Sequence, residues 1–153
     1  MPTIGKAAPA FTLETDTGET VSLKDFKGRN VVLYFYPKDD TSGCTTEACE
    51  FKELMPRFAK DSAVILGVSP DSVKSHRKFK EKYELNFTLL ADTEKVVAEA
   101  YGVWKEKSMY GRKYMGVERT TFLIDAKGVL RHVFEKVKPA GHAEEVATAI
   151  AAL

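Results

Sequence analysis

The chain has 153 residues, of which 44% are apolar and 29% are charged, and its formal net charge at pH 7 is +1. This composition is typical of a globular protein, and the length predicts that residues 1–153 form a single domain. No apolar run can span a bilayer, the first ten residues lack a secretory pattern, and charges of both signs are mixed, so we expect a cytoplasmic protein without nucleic-acid or membrane partners.

Strand-like and helix-like segments alternate along the chain. A short hairpin is predicted around Asp16-Thr17-Gly18. The main strands are predicted at 31–36, 63–68, 87–90, 120–124 and 129–134, the last two joined by a turn at 125–128. Helices are predicted after Thr41 or Ser42 with an interruption at Pro56, from 72 to 83, from Asp92 or Thr93 to about 101, and from 142 onward. This order predicts an α/β, thioredoxin-like fold, with a central mixed sheet flanked by helices on both faces and an N-terminal β extension.

Two cysteines, Cys44 and Cys49, lie in one segment just after the first central strand. In open α/β sheets, functional sites form where the carboxyl ends of strands lead into helix N-termini. With Thr41 as N-cap, Cys44 falls in the first helical turn, where unpaired N–H groups and the helix dipole favour a thiolate. Because thiolate is the nucleophilic form, this position predicts a reactive cysteine rather than a small core residue.

The spacing of Cys44 and Cys49 limits how they can pair. In an intact α-helix, residues five apart have Cα atoms separated by roughly 8–9 Å, whereas a disulfide needs about 7 Å or less. A bond between them therefore requires residues 42–50 to unwind. A thioredoxin-type dithiol has only two intervening residues, and zinc needs more ligands, so both are disfavoured. An acyl-transferring cysteine enzyme stays open, because a histidine could approach Cys44 in space.

Two further groups of residues have types that occur in nucleic-acid or metal sites. Segment 104–114 mixes basic and aromatic residues, but Glu106 interrupts it and the chain is nearly neutral. We interpret this segment as a solvated loop over the site rather than a nucleic-acid surface. The histidines have no metal-ligand spacing, so we expect exposed or capping groups at His76, His132 and His142.

The motif Pro37-x-x-x-Thr41-x-x-Cys44 is similar to the active-site signature of peroxiredoxins. The second cysteine, five residues further on, resembles the Q-type group, also called bacterioferritin comigratory proteins. The resemblance covers nearly the whole chain and includes Arg119 at the start of a late strand. It implies that Cys44 is the peroxidatic cysteine, that the Thr41 hydroxyl bonds the thiolate and the peroxide, that Pro37 shields the sulfur from water, and that Arg119 supplies a cation and orients the peroxide.

The resemblance also implies that Cys49 is the resolving cysteine, which forms an intramolecular disulfide with Cys44. Thioredoxin or a similar dithiol would reduce this disulfide, as in an atypical two-cysteine peroxiredoxin that reduces hydrogen peroxide and organic hydroperoxides. No cofactor or metal is expected, because sulfur itself carries the two-electron chemistry, and a monomer is expected, because the disulfide needs no partner subunit. The role of Glu47 stays open. Two alternatives use the same cysteines: a redox sensor and a protein disulfide oxidoreductase.

Overall fold

The computed structural model describes residues 1–153 and contains nine strands and five α-helices. The strands are β1 Thr12–Thr15, β2 Thr20–Ser22, β3 Asn30–Phe35, β4 Ala63–Ser69, β5 Thr88–Ala91, β6 Trp104–Met109, β7 Arg112–Val117, β8 Thr120–Ile124 and β9 Leu130–Phe134. The helices are α1 Ser42–Glu53, α2 Met55–Lys60, α3 Val73–Tyr83, α4 Val96–Ala100 and α5 His142–Ala151, with a 3-10 helix at Leu23–Phe26. None of these helices combines the length and the apolar character needed to cross a membrane.

Seven strands form one mixed sheet in the order β2-β1-β5-β4-β3-β8-β9, and β6 and β7 form a separate hairpin. Strands β3, β4 and β5 run parallel, whereas β8 is antiparallel to β3 and β1 is antiparallel to β5. Residues 31–35 of β3 are all buried, as expected for a central strand covered on both faces. The carboxyl ends of the three parallel strands meet at one edge, where sites of open α/β sheets form.

Alternate side chains of β3 point into two hydrophobic cores, one on each face of the sheet. Val32 and Tyr34 belong to a core that includes residues of α1, α2, α3 and α5. Val31 and Leu33 belong to a second core, which includes residues of α4 and of the N-terminal segment. This alternation is the period of two that a strand imposes. The predicted mixed sheet with helices on both faces is therefore confirmed, although four helices cover one face and one short helix covers the other.

The helix after β3 is interrupted in the region that the sequence predicts. α1 ends at Glu53, Leu54 separates the two helices, and Pro56 lies in the first turn of α2. Proline lacks a backbone N–H, and the N–H groups of a first turn have no partner within the helix in any case. Pro56 is therefore accommodated by starting a new helix.

The first N–H groups of helix α4 are bonded by a residue that precedes the N-cap. Its N-cap is Lys95 rather than Asp92 or Thr93. The buried carboxylate of Asp92 nevertheless accepts the backbone N–H of Val97 at 3.3 Å and that of Ala98 at 2.8 Å. These bonds satisfy N–H groups that a short helix leaves unpaired, so Asp92 has the capping function without the N-cap position.

The prediction of a loop at 104–114 was wrong, because this segment belongs to the β6–β7 hairpin. Its turn places Tyr110 at φ 51° and Gly111 at φ 78°. Two central residues with positive φ are the mark of a type I′ turn, whose twist suits a two-stranded ribbon. Tyrosine before glycine is a weaker signal for this turn than asparagine before glycine, which explains why the sequence pattern did not indicate it.

The prediction for the histidines was wrong at two of three positions. His132 is exposed, but His76 and His142 are buried. The two ring nitrogens of His142 lie 2.8 Å from the Thr121 hydroxyl and 2.7 Å from a carboxylate oxygen of Glu145. Burial lowers the pKa of His142. Both buried rings have partners for both nitrogens, as buried polar groups require, and all of these partners except Glu145 come from other segments of the chain.

Candidate active site

The active-site candidate lies where β3 leads through loop 37–41 into α1. The N-cap of α1 is Thr41, with an extended backbone at φ −96° and ψ 158°. Its carbonyl accepts the backbone N–H of Thr45 at 2.8 Å, the first bond of the helix. Cys44 is the third residue of α1 and so lies in the first turn, where N–H groups without helical partners and the positive end of the dipole favour an anion.

Arg119 makes direct contact with the sulfur of Cys44. Cys44 is 1% exposed. Nη2 of Arg119 donates to Sγ at 3.3 Å. Arg119 reaches this position because it immediately precedes β8, and the antiparallel register pairs Thr120 with Phe35 at the end of β3. A guanidinium at this distance stabilises negative charge on sulfur and on an oxygen bound next to it.

Glu47 holds the other side of the same guanidinium. Nη1 of Arg119 donates to Oε1 of Glu47 at 2.6 Å, and the Glu47 side chain is fully buried. Burial raises the pKa of Glu47 to about 7, although Arg119 acts in the opposite direction. Burial acts to lower the pKa of Arg119, but the charges of Glu47 and Cys44 raise it overall. Glu47 therefore orients the arginine toward Cys44, a role that the sequence pattern left open.

Gly43 allows the guanidinium to come close to α1. A Cβ atom at this position would lie 3.2 Å from Nη2 of Arg119 and 3.2 Å from Cγ of Pro139. Such contacts are tighter than ordinary van der Waals separation, so a larger residue would displace either the arginine or the segment before α5. The absence of a side chain at Gly43 thus contributes to the position of Arg119.

Thr41 and Pro37 lie in loop 37–41, which leads from β3 into α1. The Thr41 hydroxyl donates to the backbone carbonyl of Lys38 at 2.9 Å and makes no hydrogen bond to the sulfur. Thr41 is exposed and Pro37 is half-buried. The structure therefore brings Cys44 and Arg119 into contact, and it leaves the Thr41 hydroxyl on the backbone of its own loop.

Cys49 lies on the same helix but is not bonded to Cys44. Both cysteines are free thiols, Cys44 buried and Cys49 half-buried. α1 is continuous from Ser42 to Glu53, so an ordered helix separates the two residues. Burial raises the pKa of the Cys49 thiol, which favours its protonated form. The protonated thiol is the less nucleophilic form, so burial reduces the reactivity of Cys49 in this conformation.

A cysteine in the first turn of a helix, with a half-buried arginine bonded to its sulfur, is typical of a thiol-dependent redox enzyme. The model of the AhpC/TSA family matches residues 4–133 of the chain. Peroxiredoxin Bcp of Bacillus subtilis is 56% identical over 142 residues, which are 93% of this chain and 90% of that protein. A putative peroxiredoxin Bcp of Coxiella burnetii is 56% identical over 143 residues, covering 94% of this chain and 95% of that protein.

The solved structures give the same result. The bacterioferritin comigratory protein of Xanthomonas campestris matches with a TM-score of 0.89 and 44% identity, over 93% of this chain and 90% of that chain. The chain therefore belongs to the AhpC/TSA family, within its peroxiredoxin Bcp, or Q-type, group. The resemblance predicted from the sequence and the thioredoxin-like fold are confirmed, and the enzyme class is that of a thiol peroxidase.

Proposed function

We propose that this peroxiredoxin reduces hydrogen peroxide and organic hydroperoxides through oxidation of Cys44, resolution by Cys49, and reduction by thioredoxin or a similar dithiol. The observation that carries the proposal is the 3.3 Å contact between Arg119 and the Cys44 sulfur in the first turn of α1. The second cysteine, on the same helix, supplies a thiol that needs no other subunit. The proposal includes a monomer and a cytoplasmic location, where dithiol reductants are maintained.

In the first step, the Cys44 thiolate attacks the terminal oxygen of the hydroperoxide. An S–O bond forms, the O–O bond breaks, and the leaving oxygen takes a proton to become an alcohol or water, while Cys44 becomes a sulfenic acid. Negative charge develops on the two oxygens, where the Arg119 guanidinium and the first-turn N–H groups can stabilise it. We propose that the Thr41 hydroxyl turns from the Lys38 carbonyl to the bound peroxide. Pro37 excludes water from the sulfur.

In the second step, the Cys49 sulfur attacks the sulfur of the sulfenic acid. An S–S bond forms and hydroxide leaves, to be protonated as water. Because an ordered helix holds such residues roughly 8–9 Å apart at Cα, residues 42–50 must unwind first. Unwinding also exposes Cys49, and the burial that raises the pKa of its thiol is then lost. A larger fraction of Cys49 is therefore thiolate, the form that attacks. The dithiol reductant then exchanges with the disulfide and restores both thiols.

The proposal that organic hydroperoxides are substrates is supported by a similar protein. The Xanthomonas campestris protein is described with an alkyl peroxide reduction activity. Cys44 is nearly fully buried in a core that includes Ala48 and Phe51, so apolar side chains lie in the same core as the reacting sulfur. An alkyl substituent on the hydroperoxide would be compatible with these surroundings, and hydrogen peroxide is small enough to need no such contact.

The experiment is a coupled assay with thioredoxin, thioredoxin reductase and NADPH, run with hydrogen peroxide and with cumene hydroperoxide. We expect continuous NADPH oxidation with the wild type and none with Cys44→Ser. Cys49→Ser should consume one equivalent of peroxide and then stop, with a sulfenic acid on Cys44. If the wild type gives no peroxide-dependent NADPH oxidation while the reductant remains active on insulin, the proposed thioredoxin cycle is wrong.

A further inference from the structure

Asp39, in the middle of loop 37–41, is the centre of a buried hydrogen-bond network that the catalytic contacts do not include. Its carboxylate accepts the Tyr36 hydroxyl at 2.5 Å and the Ser75 hydroxyl at 2.8 Å. Nδ1 of His76 lies 2.7 Å from Oδ2 of the same carboxylate. The backbone N–H of Asp39 donates to the Asp71 carboxylate at 2.8 Å. One loop residue is therefore bonded to the end of β3, to α3 and to the segment after β4.

Both ring nitrogens of His76 have a hydrogen-bond partner. Nε2 lies 2.9 Å from the carbonyl oxygen of Leu90, which can only accept, so Nε2 is protonated. Nδ1 faces a carboxylate oxygen of Asp39, and two bare acceptors would repel at that distance. One proton therefore lies between Nδ1 and the carboxylate, which also accepts the hydroxyls of Tyr36 and Ser75. The ring of His76 thus joins Leu90 of β5 to Asp39 of the loop.

The surroundings of His76 and Asp39 stabilise the contact between the two side chains. The side chains of His76 and Asp39 are 0% and 4% exposed. Burial raises the pKa of Tyr36 well above its usual value, so its hydroxyl remains a donor to Asp39. Separating the pair would leave buried polar groups without hydrogen-bond partners, which resists movement of the loop away from α3.

Helix α3 also binds the next residue of the loop, Asp40, near its C-terminal end. Nζ of Lys82 and the hydroxyl of Tyr83 donate to the Asp40 carboxylate at 2.8 Å and 2.7 Å. The backbone of Asp40 has φ 56°, in the left-handed region that non-glycine residues seldom adopt. α3 therefore holds two consecutive loop residues, one by a buried network and one by exposed bonds.

Residues 42–50, which must unwind, are bonded to other parts of the protein than loop 37–41 is. Between residues 42 and 50, side-chain hydrogen bonds to the rest of the protein come from Arg119, which binds Cys44 and Glu47, and from the backbone of Gly141, which binds Glu50. None of them comes from α3. The boundary between the two kinds of attachment falls between Asp40 and the first residue of α1.

We propose that His76 is a positioning residue of the peroxidase, whose ring fixes loop 37–41 beside Cys44 and confines the unwinding of α1 to residues beyond Thr41. The first part concerns the attack on peroxide, because Pro37 and Thr41 lie in the fixed loop. The second part rests on the proposed disulfide cycle. Together they give α3 a role in catalysis although it carries no group that touches the sulfur.

The first part is tested in a Cys49→Ser background, where the reaction of Cys44 with peroxide is observed without disulfide formation. His76→Leu removes both ring contacts, and His76→Gln keeps a donor for Asp39. Lys78→Leu, at an exposed position on the same helix, is the matched control. We expect the second-order rate with hydrogen peroxide to fall about tenfold or more in His76→Leu, less in His76→Gln, and not at all in the control, because small displacements of positioning groups cost that much.

A purely structural role would lower the unfolding temperature but leave this rate unchanged in protein that is still folded. Equal rates in the two His76 variants and the control, with amides of β3 and β4 protected as in the wild type, would overturn the assignment. If His76→Leu does not fold, the comparison of His76→Gln with Lys78→Leu decides in the same way.

The second part is tested by amide hydrogen exchange on the peroxide-oxidised protein with both cysteines present. In the wild type, protection should be lost over 42–50 and kept over 37–41, and in His76→Leu or His76→Gln it should be lost over 37–41 as well. An identical boundary in wild type and variants would contradict the confinement. Failure of the wild type to form the Cys44–Cys49 disulfide would instead refute the proposed cycle, and the rate measurements would still test His76.

Discussion

Replacing Glu47 by glutamine removes a buried carboxyl from the site while keeping its size and an oxygen for Arg119. In the wild type, Oε1 accepts from Nη1 of Arg119 at 2.6 Å, whereas Oε2 is buried without a hydrogen-bond partner. A carboxylate in this place has only part of the solvation that it has in water. The protein should therefore be most stable when Glu47 is protonated.

The size of the effect follows from the pKa of Glu47, which burial raises from 4.5 to about 7. Between these two pH values the folded protein holds a proton that the unfolded chain has released, so stability falls as pH rises. The contribution is fully present below the unfolded value and is lost as pH rises through the folded one. Since one pKa unit corresponds to about 1.4 kcal/mol, this group should lower the free energy of unfolding by about 2.5 kcal/mol between pH 5 and pH 8.

The assay is urea unfolding of the reduced wild type and of Glu47→Gln at several pH values from 5 to 8. All other titrating groups are common to both proteins, so the difference in unfolding free energy isolates Glu47. We expect the wild type to lose about 2.5 kcal/mol relative to the variant over this range. Two parallel curves would show that Glu47 does not titrate there and would refute the argument from burial.

Other substitutions test the remaining contacts. Arg119→Ala should lower the second-order rate with peroxide by about 10²–10³-fold, and Arg119→Lys by less, in stopped-flow measurements; an unchanged rate would mean that the contact at the sulfur has no catalytic effect. Gly43→Ala should slow the same reaction, because its Cβ would lie 3.2 Å from the guanidinium, and a wild-type rate would contradict this crowding. Asp92→Ala should lower the free energy of unfolding by about 2 kcal/mol, because two buried N–H groups of α4 lose their acceptor. Its peroxide rate should stay at the wild-type value, since α4 packs on the other face of the sheet, and unaltered stability would show that the cap is not needed.

Features that depend on neighbouring residues were predicted from the sequence. The end of β3, the N-cap at Thr41 and the first-turn position of Cys44 follow from strand composition, capping preference and helical spacing over a few residues. The interruption near Pro56 follows from the chemistry of proline alone. These features are local, so no knowledge of the tertiary fold is needed to place them.

Features that depend on distant parts of the chain were not predicted from residue patterns. The contact of Arg119 with Cys44 depends on the register of β8 against β3, and only the family resemblance indicated this arginine. The burial of His76 depends on the packing of α3 against β5 and on a carbonyl of that strand. The β6–β7 hairpin depends on a two-residue turn at Tyr110 and Gly111 whose sequence is not a strong signal. An isolated histidine or a basic segment has no local pattern that reveals such partners.

The proposed peroxidase cycle depends most on the oxidation of Cys44 by peroxide and its capture by Cys49 within the same chain. The direct measurement is mass spectrometry of the tryptic peptide 39–52, which contains both cysteines, after one equivalent of hydrogen peroxide and alkylation of free thiols. We predict a peptide lighter than the dithiol form by two hydrogen atoms and carrying no alkyl group. A peptide with a sulfenic acid on Cys44 and an alkylated Cys49, or a peptide alkylated at both cysteines, would contradict this cycle.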